Sequence, residues 1–194
     1  MILLVALFVS LFLLLITAAY TDLASGKVYN WTTYPGIGIG LALNFLIGGI
    51  GGDLSNGPAA ANYNLVNSAA GCILGFLVLG VFHVSGGMGA GDMKLGAAIG
   101  AMIGWQYLVW SLFYTSLVGG VMALSVAIWR GRLQQSLKGA LRFGVTLRPP
   151  LLVDGQKPLT IPFGLALVVG TYWCWFMFIL DVKFFPFPLL AGHS

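Results

Sequence analysis

Apolar and polar positions in this chain fall into long blocks with no fine alternation. Apolar runs cover Ile2–Tyr20, the Gly-rich Tyr34–Ile50, Leu65–Val84, Leu95–Trp129 and Leu159–Leu180. A helix needs about 20 mostly apolar residues to cross a hydrocarbon core of about 30 Å, so each run predicts a membrane-spanning helix. Leu95–Trp129 is too long for one. Its 35 uncharged residues would make a straight helix of roughly 52 Å, and a single crossing would need gross tilt. Within it, Gly104-Trp105-Gln106-Tyr107 sets a polar side chain among aromatics that favour the membrane–water interface. The chain is therefore expected to break there. One span would be about Leu95–Met102, extended N-terminally by the preceding loop, and the next about Val109–Trp129. The predicted fold is all-α: a polytopic membrane helical bundle of about six transmembrane helices, forming a single domain over 1–194.

Composition agrees with that pattern and excludes other classes. Hydrophobic residues make up 59% of the chain, and mean hydropathy is +0.95. Charged residues make up 7%, against roughly 25% in soluble domains. Disorder needs the opposite balance. The net charge of +4 is small, and membrane orientation accounts for it without a nucleic-acid partner. With six spans and the N-terminus outside, segments 21–33, 85–94 and 130–158 face the cytoplasm. They hold Lys27, Lys94, Arg130, Arg132, Lys138, Arg142, Arg148 and Lys157, eight of the nine basic residues, leaving Lys183 outside. That is the positive-inside bias. A single span over Leu95–Trp129 would reverse it, so charge supports the break independently. Within the basic loop, Leu133, Leu137, Ala140 and Leu141 recur at helical spacing. Arg130–Gly144 therefore reads as a surface helix anchoring the chain on anionic lipid rather than a docking site for a partner.

Two other residue types have structural readings. Cys72 and Cys174 sit in apolar runs without a C-x-x-C partner, so they predict buried small hydrophobes and no metal site, cofactor or disulfide. Gly96, Gly100 and Gly104, with Gly71 and Gly75 and with Gly36 and Gly40, form four-residue stripes that predict close helix packing within the bundle. They leave the oligomeric state open.

In a chain that avoids acids, each carboxylate needs a reason. All five are Asp. Asp53 and Asp181 lie in solvated connections, and Asp154 lies in a turn-like Asp154-Gly155-Gln156-Lys157. Asp22 follows the first span, and Asp92 lies in Gly86-Gly87-Met88-Gly89-Ala90-Gly91-Asp92-Met93-Lys94. The orientation puts both on the cytoplasmic side. Each could be a helix cap, Asp92 as N-cap of a helix starting at Met93. Together they could form a dyad in which one carboxyl stays protonated while the other ionises. The charged partner would deprotonate water and the neutral one would donate to a scissile carbonyl. The glycines before Asp92 would let another chain approach closely, and irregular backbone at membrane depth is tolerated where it lines a wet cavity.

Gly89-Ala90-Gly91-Asp92-Met93-Lys94 resembles the G-x-G-D-x-K motif of type IV prepilin peptidases, which are membrane aspartyl proteases. In that family the first catalytic Asp opens a pattern like D-x-x-x-x-x-I-P-N. Asp22…Val28-Tyr29-Asn30 matches both ends, with Val for Ile and Tyr for Pro. Ile161-Pro162-Phe163-Gly164 looks like the family's P-[FY]-G before the last span. The resemblance implies an endopeptidase of the bacterial inner membrane, with Asp22 and Asp92 as the catalytic pair. Gly89, Gly91, Lys94, Asn30, Pro162 and Gly164 would be motif or substrate-lining positions. The substrate would be a prepilin or pseudopilin with a short basic leader, cut at the cytoplasmic surface. No cysteine-rich zinc segment or methyl-donor motif is recognisable, so the chain looks like the short, peptidase-only type similar to those of Flp/Tad pilus systems. The cytoplasmic face is itself basic, so leader recognition is expected to rest on geometry and backbone pairing rather than charge.

Two alternatives compete. A presenilin-like intramembrane aspartyl protease shares G-x-G-D but has more spans and places its first Asp inside a helix. A small transporter or scaffold subunit would use the Asp pair for a cation or for capping. His83, nine residues before Asp92, reads as an interfacial side chain without a catalytic role.

Overall fold

The computed structural model describes residues 2–51, 63–85, 88–129 and 163–179. The described residues are almost entirely helical. The helices are α1 (Ile2–Ser25), α2 (Asn30–Gly48), α3 (Leu65–Val84), α4 (Ala90–Trp129) and α5 (Phe163–Ile179). Three of them, α1, α3 and α4, are long and apolar enough to cross a membrane, and α5 adds a shorter apolar helix. The basic segment 130–158, its expected surface helix, the turn at Asp154, and Pro162, Asp53 and Asp181 lie outside the described residues.

The expected break in the long run falls at Gly104, whose φ of 78° and ψ of 169° are non-helical. Such a φ costs L residues with a side chain, and glycine adopts it freely. The chain doubles back here. Leu108 Cδ2 lies 2.9 Å from where a Cβ on Gly100 would sit, although eight residues of straight helix rise about 12 Å. Residues 90–103 and 105–129 are thus two arms of a helical hairpin. The arm expected to begin near Leu95 begins at Ala90.

Reversing a helix inside an apolar bundle exposes the last carbonyls of the first arm. Polar side chains from two other helices meet them. The buried Asn44 amide of α2 donates to Gly40 O at 2.8 Å, Ala101 O at 3.1 Å and Met102 O at 3.2 Å. Ser68 of α3 also donates to Ala101 O, and the Trp105 N–H donates to Asn67 Oδ1 at 3.3 Å. Asn44→Leu keeps the size but removes the donor, and is expected to cost about 1–3 kcal/mol. The check is a lower thermal unfolding midpoint in detergent, with wild-type membrane insertion.

Glycines set the tightest contacts. A Cβ on Gly71 would meet the carbonyl of Gly100, and one on Gly75 the carbonyl of Gly96, so α3 lies backbone to backbone on residues 90–103. The stripes therefore pack helices within this chain, as expected. The second arm lies along α5. Ser111 and Thr171 share a hydroxyl hydrogen bond of 2.6 Å, and a Cβ on Gly119 would be 3.7 Å from both Ala166 and Phe163. These pairings make the six helical segments alternate in direction.

Apolar side chains fill the interior, with Leu7, Leu15, Leu95, Ile99, Met102 and Leu167 buried, and they also cover the outside. Thr33, Asn44, Ser68, Ser111, Thr115 and Thr171 are buried, while Val5, Val9, Leu13, Leu46, Leu77 and Val121 face outward. Polar side chains kept inside among the apolar core, with large apolar ones outside, is an arrangement that lipid tolerates. Exposed aromatics mark both ends of the bundle: Tyr20, Trp31 and Tyr34 at one, Trp105, Trp173 and Trp175 at the other. Asp22 and Asp92 lie at the first end.

Candidate active site

Three helix ends build the site. α1 does not stop at Tyr20 as the apolar run predicts. It continues for one more turn to Ser25 and ends at Gly26, where φ is 62° and the N–H returns to Asp22 O at 2.8 Å. Asp22 thus lies in the last turn of α1 and is buried. α5 runs antiparallel to α1, shown by the ring contacts of Phe12 with Tyr172 and Phe8 with Trp175. This brings the N-terminus of α5 beside Asp22. The Leu165 N–H donates to Asp22 Oδ2 at 2.9 Å, and Gly164 adds a second backbone contact. A helix's first N–H groups have no partner within the helix and favour an anion. Here a carboxylate from another helix fills that role.

Asp92 is not the N-cap that its position before Met93 suggests. The helix starts two residues earlier, at Ala90, so Asp92 is its third residue. From there its carboxylate reaches back to the Gly89 backbone N–H, while the Asp92 N–H donates to Gly89 O at 3.2 Å. This is the acidic half of a capping box. It holds the side chain against its own helix end, half-buried.

Gly164 brings the two acids together. A Cβ on it would lie 2.8 Å from Asp22 Oδ2 and 3.2 Å from Asp92 Oδ1. The sum of those distances, 6.0 Å, is an upper bound on the separation of the two oxygens. Asp22 and Asp92 are the two carboxylates among the described residues, and they both lie against the space that a side chain at position 164 would fill. At this range both charges are not held at once away from bulk water, so the pair can carry one proton between a donor and a base.

The other predicted positions have distinct parts. Gly91 packs on the α1–α2 connection, where a Cβ would be 2.7 Å from Val28 O and 3.1 Å from Val28 Cβ. Gly89 is the residue whose N–H Asp92 takes. The Lys94 ammonium donates to Asn30 Oδ1 at 2.9 Å and lies 5.1 Å from the centre of the Tyr34 ring. His83 Nδ1 is 2.9 Å from Met88 O, joining the end of α3 to the segment before Asp92. Sequence reasoning missed Leu165. It contributes through its N–H alone, so its side-chain type carries no signal. Among the described residues, no three His, Cys, Asp or Glu side chains are grouped to hold a metal ion.

A prepilin leader peptidase/N-methyltransferase of Aeromonas hydrophila is 34% identical over 127 residues, covering 62% of this chain and 39% of that protein. One from Burkholderia pseudomallei (strain 1026b) is 29% identical over 159 residues, covering 80% of this chain and 46% of its own length. Another, from Pectobacterium carotovorum, is 35% identical over 107 residues, or 54% and 37%. The chain spans less than half the length of these relatives. No solved structure matches. The model of the type IV leader peptidase family matches residues 9–124, which takes in most of α1, all of α2 and α3, both aspartates and the break at Gly104, and the chain belongs to that family.

Proposed function

We propose that this protein is a membrane-embedded aspartyl endopeptidase that removes the basic leader of a prepilin or pseudopilin at the cytoplasmic face of the bacterial inner membrane. The observation that carries this reading is the placement of Asp22 Oδ2 and Asp92 Oδ1 together beside Gly164, no more than 6.0 Å apart. In the active form one carboxyl is neutral and the other charged. The charged one takes a proton from water as its oxygen attacks the scissile carbonyl carbon. The neutral one donates to the carbonyl oxygen. Collapse of the tetrahedral species breaks the C–N bond, and a dyad proton passes to the leaving amine. The pair titrates as a unit, so its apparent pKa values belong to both residues.

Family membership supports the substrate class, and the exposed aromatics around the dyad support its placement at an interface. The alternation of the helical segments, taken with the basic residues of 130–158, supports a reading of six crossings with the N-terminus outside. The relatives' names join leader cleavage to N-methyl transfer; the site described here supports a reading for cleavage alone.

The test is co-expression with a candidate prepilin, scored by its mobility and by sequencing the new N-terminus. A shortened product that begins with the substrate's apolar helix is expected, and an unchanged substrate overturns the reading. A reporter fused within 130–158 is expected to report the cytoplasm. An extracytoplasmic signal would set the dyad on the wrong side for a leader that stays in the cytoplasm.

A further inference from the structure

The side chain of Lys94 turns from the dyad's own helix to α2. It is two residues past Asp92, so its charge is close enough in sequence to act on that carboxylate, yet its Nζ is bonded to Asn30 Oδ1 at 2.9 Å and rests over the Tyr34 ring. Asn30 and Tyr34 are four residues apart on α2, on one face of its first turns. One turn of α4 away, Gly91 presses on the backbone of Val28. These contacts fasten the start of α4, which carries Asp92, to the connection that follows the last turn of α1, the turn that carries Asp22. That connection is short, from Gly26 to Tyr29. A movement of α2's first turn relative to α4 therefore changes the distance between the two carboxylates.

We propose that Lys94 and Asn30 are positioning residues: their hydrogen bond, with Tyr34 beneath it, clamps the α1–α2 connection onto the first turn of α4 and so sets the spacing of Asp22 and Asp92. The catalytic half of this inference rests on the peptidase reading. The clamp itself is a property of the fold. An exposed hydrogen bond of this kind contributes little to global stability, so its effect falls on geometry at the site. A misplacement on the order of 1 Å at reacting groups can cost about a hundredfold in rate, and partial loosening by one lost contact is expected to cost about tenfold.

The experiment is a double-mutant cycle in purified protein, with prepilin cleavage and backbone hydrogen exchange as the two readouts. Lys94→Met and Asn30→Ala are each expected to lower kcat about tenfold and to leave KM within about twofold. The double variant should be no slower than the worse single one, because both changes remove one contact. Asn30→Asp keeps an acceptor for the ammonium and should stay within about threefold of wild type. Amides of residues 26–30 should exchange faster in Lys94→Met and in Asn30→Ala, with the interior of α3 unchanged. Multiplicative losses in the double variant, or a raised KM with kcat kept, would place Lys94 on the substrate and overturn the clamp. If the wild-type chain cleaves no prepilin, the peptidase reading fails on its own, and exchange still decides the clamp. Unchanged exchange at 26–30 then rejects it.

Discussion

Asp22→Asn and Asp92→Asn should each reduce prepilin processing by at least about a thousandfold, toward the upper end of what one acid–base group contributes to a rate. Asparagine has nearly the shape of aspartate but neither takes nor gives a proton in this range. At position 22 the amide oxygen can still accept the Leu165 N–H, so the N-terminus of α5 keeps its partner. At position 92 the amide oxygen can likewise accept the Gly89 N–H. Both variants should therefore insert normally and unfold within a few degrees of wild type. The double variant should be no slower than either single one, because groups acting as a unit are not additive. The wild-type pH profile follows from the same pairing. Activity falls on the acid side as the charged carboxyl gains a proton, and on the alkaline side as the neutral one loses its own, giving a bell. Processing by both single variants would remove the dyad from the mechanism.

Much of the fold was legible because membranes impose a coarse rule. Among the described residues the order of the helices followed from the runs, and the break at Gly104 followed from a run too long for one crossing. What the runs did not show is how the break is tolerated. Asn44 is one polar residue in an apolar stretch, and the carbonyls it satisfies lie 57 and 58 residues away in sequence. Periodicity has no access to such a pairing. Helix ends were also misplaced, at both acids. The extra turn of α1 arises because Thr21, Asp22, Leu23, Ala24 and Ser25 contain no breaker, and the helix stops where Gly26 takes a positive φ. Ala90 and Gly91 start α4 early because the Asp92 N–H donates to Gly89 O while the Asp92 carboxylate accepts the Gly89 N–H.

The acids themselves were legible through scarcity and through the G-x-G-D pattern. Their supports were not. Lys94 was visible only as a motif position, and its bond to Asn30 requires two segments to be juxtaposed. Gly164 was visible as part of a motif, but a motif gives no reason for a residue. The reason is steric and depends on Asp22 and Asp92 arriving from two other helices.

That reason makes Gly164→Ala the most discriminating single change. Alanine would improve the intrinsic propensity of the first turn of α5, so a helix-propensity argument alone forecasts a neutral or stabilised protein. The space argues otherwise. The added carbon would be 2.8 Å from Asp22 Oδ2, 3.0 Å from Asp22 Cγ and 3.2 Å from Asp92 Oδ1. Asp22 cannot yield easily, because Leu165, one residue along, holds the same oxygen. Moving Asp22 breaks that bond, and moving Asp92 widens the pair. Either outcome displaces a reacting group by several tenths of an ångström or more, and a loss of about a hundredfold in kcat is expected. Stability should change by less than about 1 kcal/mol, because the lost Asp22 bond is partly offset by helix propensity. Gly38→Ala is the control. A Cβ there meets nothing within 4 Å, so the same chemical change in α2 should leave processing at the wild-type rate. Purified protein with a prepilin substrate and a thermal unfolding curve for each variant decide the matter. Equal activity in Gly164→Ala and Gly38→Ala would mean that the two carboxylates do not need the spacing this glycine sets.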